Sequence, residues 1–525
     1  MDKLILENFR TYKNRTEIDF APITILTGKN NSGKSTILKA ILLLSDYLNS
    51  DNQLDLKFDG PSGHKHKIDC MKNALTWGSE SESFEIAFEK DGFRFSFEFG
   101  NYGMGGLFHR LVFTHIKTSS KMAIESLADS VLDFEIDDFF LESFNQPKNG
   151  NADSELKNLT DSILKFDFEI ERIDEDLKLF KVGSSDSIEL INRKNLLQRR
   201  MRDIQKRINQ LTKITKKQLS GDKNVYNSYL YLKDENDISL TIVSLLRRFL
   251  SRYFSSDEFK EEFGYSDQRE LKNIAFVLPE KLNSALNYKA HHLGPNRTHQ
   301  ARLYLNQNRS TEINEIMADY AHRTPPPSSP AKEFLIKWMK VFEIGIDVNV
   351  ESIEATASYI KITEEGKTDP INLTDKGFGA GQVLTILMKI CNEIQRQKDA
   401  RAILRQFQFS HPIIMIEEPE TNLHPMLQSR LADMFYDAFN QFGIHFILET
   451  HSEYFIRRFK LLVAKGEIDR TNILIYYIFG TGEEQLRKLE ILDNGKLSGS
   501  FGEGFFDHSD SMELELYSIN LKNRD

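Results

Sequence analysis

Apolar and polar positions change their period several times along this chain, and each change predicts an element. Residues 2–8 alternate loosely and read as an edge-sheet strand. Ile23–Leu26 is a short apolar run that ends in a glycine-rich turn, and the segment Ser35 to Tyr47 has helical character. Phe84–Phe88 and Phe93–Phe99 alternate with period two around Asp91-Gly92, which predicts a hairpin. The first 110 residues or so therefore read as a mixed α/β lobe.

The pattern shifts near residue 120. Residues 121–180 are acidic, poor in glycine and mostly compatible with helix. In Ile188–Leu219 the apolar residues Leu190, Leu197, Ile204 and Leu211 fall seven apart, with Met201 and Ile208 at the intermediate positions. That spacing predicts a short coiled coil, weakened at its ends by Lys194 and Thr215. About 30 residues of helix reach roughly 45 Å. Residues 238–257 suit another amphipathic helix, and Thr324–Pro330 reads as a rigid connector. After it α/β character returns, with strands expected at Ile344–Glu354, Tyr359–Glu365 and Ile473–Phe479 and helices at Val383–Gln395 and Leu427–Phe442. The predicted organisation is an N-terminal lobe over 1–120, a helical insertion over 121–290 and a C-terminal lobe over 291–525.

Composition narrows this picture in two ways. The 525 residues carry a formal net charge of −10, which argues against a wholly basic nucleic-acid-binding surface. The two cysteines, Cys70 and Cys391, cannot build a disulfide framework or a thiolate metal cluster. With no signal-peptide pattern and no membrane span expected, a reducing cytoplasmic location is the simplest expectation. The coiled-coil segment is the local exception in charge. Over 193–217, ten cations, among them Arg193, Lys194, Arg199 and Lys217, are opposed only by Asp203. Such a rod is either a solvated face or a contact to DNA or RNA phosphates.

Four motifs carry chemistry. Gly28-Lys29-Asn30-Asn31-Ser32-Gly33-Lys34-Ser35 matches the phosphate-loop pattern between a predicted strand and a predicted helix. Its glycines let backbone N–H groups surround phosphates. Lys34 reaches the β- and γ-phosphates, Ser35 ligates Mg²⁺, and Thr36 opens the helix. Ile413–Ile416 is an apolar strand ending in Glu417-Glu418, where Glu417 is expected at the metal and Glu418 as general base on a water. Ile447-Leu448-Glu449-Thr450-His451-Ser452 ends a further strand at a histidine that can contact the γ-phosphate or the attacking water. Leu373–Leu384 holds a glycine-rich turn. Its Gly379, Gly381 and Gln382 are expected to complete the phosphate site of a second head, since one loop already serves its own nucleotide.

These motifs, in this order, resemble the ABC-type ATPases grouped with the overcoming-lysogenization-defect and double-strand-break-repair families. Leu6-Glu7-Asn8-Phe9-Arg10 is similar to the opening of that group, and Leu293-Gly294-Pro295-Asn296-Arg297 to its Gly-Pro-x-Arg element. Glu417-Glu418-Pro419-Glu420 with Leu423-His424-Pro425 matches its Walker B and D-loop segments. The resemblance covers roughly 1–110 and 290–480. It implies ATP and Mg²⁺ as cofactors, Glu418 as catalytic glutamate, His451 as switch histidine, Gly379–Gln382 as signature turn, and a head-to-head dimer or higher oligomer. Three features depart from the group. The signature turn lacks its usual serine, no Gln stands in Asp69–Trp77 where a Q-loop is expected, and the Asp-x-Asp of a Toprim nuclease is missing. Stand-alone ATPases of this layout resemble the Septu-type anti-phage subunit, sometimes retron-associated, which implies a separate effector such as an HNH nuclease. A RecF-like DNA repair or recombination ATPase and a nucleotide-holding scaffold remain alternatives.

Overall fold

The computed structural model describes residues 1–102, 105–128, 131–137, 225–231, 241–253, 290–295, 297, 301–305, 312–353, 357–403, 411–480 and 484–502, with isolated positions between and beyond these. The predicted coiled coil 188–219 and its basic residues lie outside them, Lys194 excepted. The chain divides into two compact units. One comprises 1–90, 98–108 and 285–525, and the other 91–97 and 109–284.

In the first unit, β1 (Lys3–Glu7) pairs antiparallel with β2 (Thr16–Asp19). The chain continues into β3 (Ile23–Gly28), α1 (Lys34–Leu48) and β4 (Ser83–Lys90), and β4 pairs with the other side of β1. β1 is therefore not an edge strand as its pattern predicts. Leu4, Ile5 and Leu6 are all fully buried, so the alternation is blurred by burial on both faces. The turn after β4 has Asp91 at φ 53° and Gly92 at φ 83°, the two left-handed residues that a tight hairpin turn requires.

The nucleotide-type core of this unit is a six-stranded sheet. Its order is β5 (Ala290–Leu293), β6 (Ile413–Glu417), β7 (His445–Glu449), β3, β8 (Ile473–Ile478) and β9 (Leu486–Leu489). All neighbours are parallel except β8 and β9. Strands of such a sheet are buried on both faces and read as continuous apolar runs, which is why Ile413–Ile416 and Ile473–Ile478 carry no alternation. Helices α2 (Glu312–His322), α3 (Pro330–Val341), α4 (Phe378–Ile403), α5 (Pro425–Phe442) and α6 (Glu453–Ala464) contribute to one apolar core with these strands. α4 packs against α2 and α3, and α5 against α6. The helix starts follow ordinary capping rules. The Ser329 side chain accepts from the Lys332 N–H with Pro330 in the first turn, and the Ser452 side chain accepts from Phe455.

The second unit corrects part of the expected helical insertion. Ser120–Ala128 and Val131–Asp137 are antiparallel strands, and Val225–Tyr231 pairs with the latter. Met122, Ile124, Leu132 and Phe134 are buried between polar Lys121, Glu125, Asp133 and Glu135, so period two was present beneath an acidic composition that resembles helix. Helix Ile242–Tyr253 lies within the amphipathic stretch that the sequence predicts, and its Phe249 stacks on Phe134 at 4.2 Å between ring centroids. Among the described residues, no helix is long and apolar enough to cross a membrane.

Candidate nucleotide site

The phosphate loop joins β3 to α1 in a conformation that needs its glycines. Gly28 has φ 137°, and a Cβ there would lie 2.2 Å from the Ile478 carbonyl oxygen on β8. Gly33 has φ 106° and would place a Cβ 2.5 Å from Thr11 Oγ1. The Tyr12 hydroxyl donates to the Gly33 carbonyl at 3.2 Å and holds the loop from below. Lys29, Asn30 and Asn31 are exposed, whereas Ser32, Gly33, Lys34 and Thr36 are buried. The Lys34 ammonium donates to the carbonyls of Gly28 at 3.2 Å and Lys29 at 2.7 Å. Burial lowers its pKa, and Glu449 and Glu418 oppose that shift.

The sheet order brings the other motifs to this loop. β7 lies between β3 and β6, with Glu449 opposite Leu26 on one side and Glu417 on the other. Three carboxylates, Glu417, Glu418 and Glu449, therefore gather at the ends of adjacent strands. Glu449 is 6% exposed. Its Oε2 accepts from the Ser35 hydroxyl at 2.9 Å, and its Oε1 lies 3.9 Å from Lys34 Nζ. Burial, then the charge of Glu417, push its pKa up to about 7, against the pull of Ser35 and Lys34. The sequence motif contained Glu449, but nothing local to it signals a partner 414 positions away.

Glu418 has φ 45°, a left-handed conformation rare for a residue of this type. Its N–H donates to the Glu449 carbonyl at 2.7 Å, and its carboxylate accepts from the Thr421 hydroxyl at 3.1 Å. Strain of this kind persists only where surroundings impose it. Arg297 adds a third contact to the two that already hold Glu418. It is 1% exposed, and its guanidinium donates to the carbonyls of Gly294 at 2.8 Å, Glu417 at 2.6 Å and Glu418 at 2.7 Å. Burial lowers its pKa to about 10, so it stays a cation at neutral pH. The Gly-Pro-x-Arg element thus serves as a clamp on the strand end that bears Glu417 and Glu418. Glu417 in turn bonds His292 on β5 at 2.7 Å. Burial alone lowers the His292 pKa, but Glu312 and Glu417 outweigh it and raise it above the ordinary value.

His451 is exposed, and its N–H donates to Glu420 Oε1 at 2.8 Å. Partial burial of the ring and the Lys34 charge lower its pKa while Glu418 acts the other way, which places Lys34, Glu418 and His451 in one electrostatic neighbourhood. The ring is neutral at neutral pH and able to accept a proton or a hydrogen bond.

The expected signature turn differs in form. α4 already begins at Phe378, so Gly379 and Gly381 lie in its first turns and have ordinary helical φ, not a free loop. A Cβ on Gly379 would lie 2.6 Å from the Asn422 carbonyl oxygen. Gln382 is 2% exposed, and its amide donates to the Pro295 carbonyl at 3.5 Å within the same head. Gly377 and Phe378 are the exposed residues at this helix start. The short helix Met71–Ala74 and the segment to Trp77 supply no glutamine to the site.

The loop, its lysine and the paired carboxylates define a P-loop ATPase with an α/β head interrupted by an inserted unit. The chain belongs to the AAA ATPase domain family, whose model matches residues 1–456. Similar solved structures include the Smc head domain with an extended coiled coil bound to the C-terminal domain of ScpA, from Pyrococcus furiosus. That match is 14% identical with a TM-score of 0.34 and covers 93% of this chain and 96% of that one. Another is the SMC head domain from Thermotoga maritima, 12% identical with a TM-score of 0.30, covering 96% and 98%. No curated protein matches the chain.

The donor set fits Mg²⁺ and a triphosphate. Hard oxygen donors at Ser35 and Glu417 suit Mg²⁺, which takes one or two protein oxygens together with phosphates and waters. The buried Ser32 hydroxyl, which has no hydrogen-bond partner, sits in the turn where phosphates would be cradled. When bound, the ion would neutralise charge on the phosphates. The Lys34 ammonium would exchange its loop carbonyls for phosphate oxygens, and Glu418 would take the proton of the attacking water.

Proposed function

We propose that this ATPase works as a nucleotide-driven switch of the ABC type, with Glu418 as general base, Lys34 on the phosphates, Ser35 and Glu417 at the Mg²⁺, and His451 beside the γ-phosphate. The observation that carries this reading is the convergence of the buried Lys34 with the buried Glu449, 3.9 Å away, and with the charge of the half-buried Glu418. In the same reading two heads sandwich two ATP molecules. The start of α4, with Gly379 and Gly381, would cover the loop of the second head. Phe378, 63% exposed at that helix start, is the apolar surface such a contact would bury.

We favour a role in DNA repair or maintenance, in the manner of a RecF-like clamp. The basic segment 193–217 is the sequence feature that supports it. The anti-phage reading, with a separate HNH effector, draws on the size and layout of the chain. ATP turnover by the purified chain tests the enzymatic core. Glu418→Gln should reduce turnover by about 10²–10⁴-fold while nucleotide binding persists, and Lys34→Ala should lose binding. Equal turnover in wild type and Glu418→Gln would end the reading. Salt-dependent binding to DNA then separates repair from defence.

A further inference from the structure

We propose that Glu449 is the residue that aims the Ser35 hydroxyl at the magnesium ion, so that the positioning carboxylate of this site stands on β7 and not in the Glu417-Glu418 pair on β6. The inference rests on the ATP-site reading above and deepens it.

A serine that binds a cation does so through an oxygen lone pair, and its proton must go elsewhere. An acceptor opposite the ion fixes that proton and with it the direction of the lone pair. Here the acceptor is Glu449 Oε2, at 2.9 Å from Ser35 Oγ. The other two carboxylates hold different partners. Glu417 Oε1 is bonded to His292 Nε2 at 2.7 Å, and Glu418 Oε2 to the Thr421 hydroxyl at 3.1 Å.

The placement is fixed by the fold. β7 runs parallel to both β3 and β6, and its last residue is in register with Leu26 and with Glu417. The Glu449 side chain thus stands between the loop and the paired carboxylates. Its N–H···O neighbours add rigidity, because the Glu418 N–H donates to its carbonyl at 2.7 Å and the Thr450 N–H to that of Leu26 at 3.0 Å. A carboxylate 6% exposed beside two others is a costly core residue by itself. A divalent cation at the Ser35 hydroxyl reverses the sign of that balance. Glu449 Oε1 also lies 3.9 Å from Lys34 Nζ, beyond hydrogen-bond reach, so the ammonium is not locked against a phosphate.

The test is the affinity of the full chain for a fluorescent ATP analogue across a Mg²⁺ titration and in EDTA. Glu449→Ala should raise the Mg²⁺ concentration at half-maximal binding by about 10–100-fold, the usual cost of losing an outer-shell partner. Binding in EDTA should be unchanged. Glu449→Gln, which keeps an acceptor oxygen, should recover most of the loss. In Ser35→Ala the further change Glu449→Ala should add nothing, since the two act through one hydrogen bond. Should Glu449→Ala fail to fold, Glu449→Val removes the acceptor with a residue suited to a strand. A Mg²⁺ midpoint equal to that of wild type overturns the inference, as does an equal loss of binding in EDTA and in Mg²⁺. If the wild-type chain binds no nucleotide under either condition, the ATP-site reading itself falls and takes this inference with it.

Discussion

Arg297 donates to the carbonyl oxygens of Glu417 and Glu418 at the end of β6 and to that of Gly294 just after β5. Removing it strands those oxygens in a buried setting and takes away one of the contacts on Glu418, whose φ is 45°. Arg297→Met should therefore cost about 3 kcal/mol in urea unfolding, the scale of a lost charge-assisted hydrogen bond with its acceptors left unpaired. Arg297→Lys should recover only part, because an ammonium cannot reproduce the fork. Turnover should fall further than ATP affinity, since Lys34 and its loop stay in place. A second residue-scale expectation concerns His66, which is fully buried. Its Nδ1 accepts from the Ile68 N–H at 3.0 Å, and burial, then the charge of Lys39, lowers its pKa to about 4. The folded chain thus binds fewer protons than the unfolded one between that value and the ordinary 6.5. The stability this contributes is fully present above pH 6.5 and is lost as pH falls toward 4. The loss is about 3 kcal/mol. His66→Asn keeps an acceptor for Ile68 and should flatten this part of the profile between pH 7.5 and 5, read by denaturant midpoint. The phosphate loop was legible in the sequence because its chemistry lies within eight successive residues, Gly28 to Ser35. Arg297 was visible only through resemblance. Glu449 had no visible role, because its hydrogen-bond partner Ser35 is brought close only by strand order.

At the scale of elements, α4 and the turn after β6 are fitted to each other at one glycine. The Gly379 position leaves 2.6 Å between a notional Cβ and the Asn422 carbonyl oxygen, with Leu423 Cδ2 at 3.1 Å. Asn422 itself has φ 63°, so the turn has little room to move away. Gly379→Ala gains up to about 1 kcal/mol in helix propensity. It loses about 1–3 kcal/mol to overpacking. The net loss of up to about 2 kcal/mol predicts a modest fall in melting temperature with a clear fall in ATP turnover, because the displaced turn begins at Glu418. Unchanged turnover would show that this contact is packing alone. Element boundaries followed the sequence closely wherever apolar runs were long, as in Ile473–Ile478 and Pro425–Phe442. They failed in Ser120–Asp137, where acidic side chains on the polar face of two strands imitated a helix. The glycine-rich turn was misread for a related reason. Gly379 and Gly381 suggested a loop, whereas the tight approach of Asn422 requires a residue without a side chain inside a helix.

At the scale of the whole molecule, one head holds the loop, the base and the histidine, while the start of α4 bonds no phosphate of its own loop in the reading proposed here. A second copy is the simplest occupant for that surface. The consequence is a mass that depends on nucleotide. Glu418→Gln leaves Lys34, Ser35 and Glu449 intact, so it should bind ATP, fail to hydrolyse it and accumulate as a dimer. Light scattering behind size-exclusion chromatography should then give about twice the chain mass of 60.8 kDa with Mg·ATP and the single-chain mass without it. Lys34→Ala should remain at the single-chain mass in both conditions, because closure draws its free energy from the bound phosphates. Phe378→Asp should weaken the ATP-bound dimer while leaving ATP affinity of the separate head intact, as this side chain is 63% exposed. A Glu418→Gln protein that binds ATP yet keeps one mass throughout would remove the sandwich and leave Gly379 and Gly381 as internal packing residues of a head that acts alone.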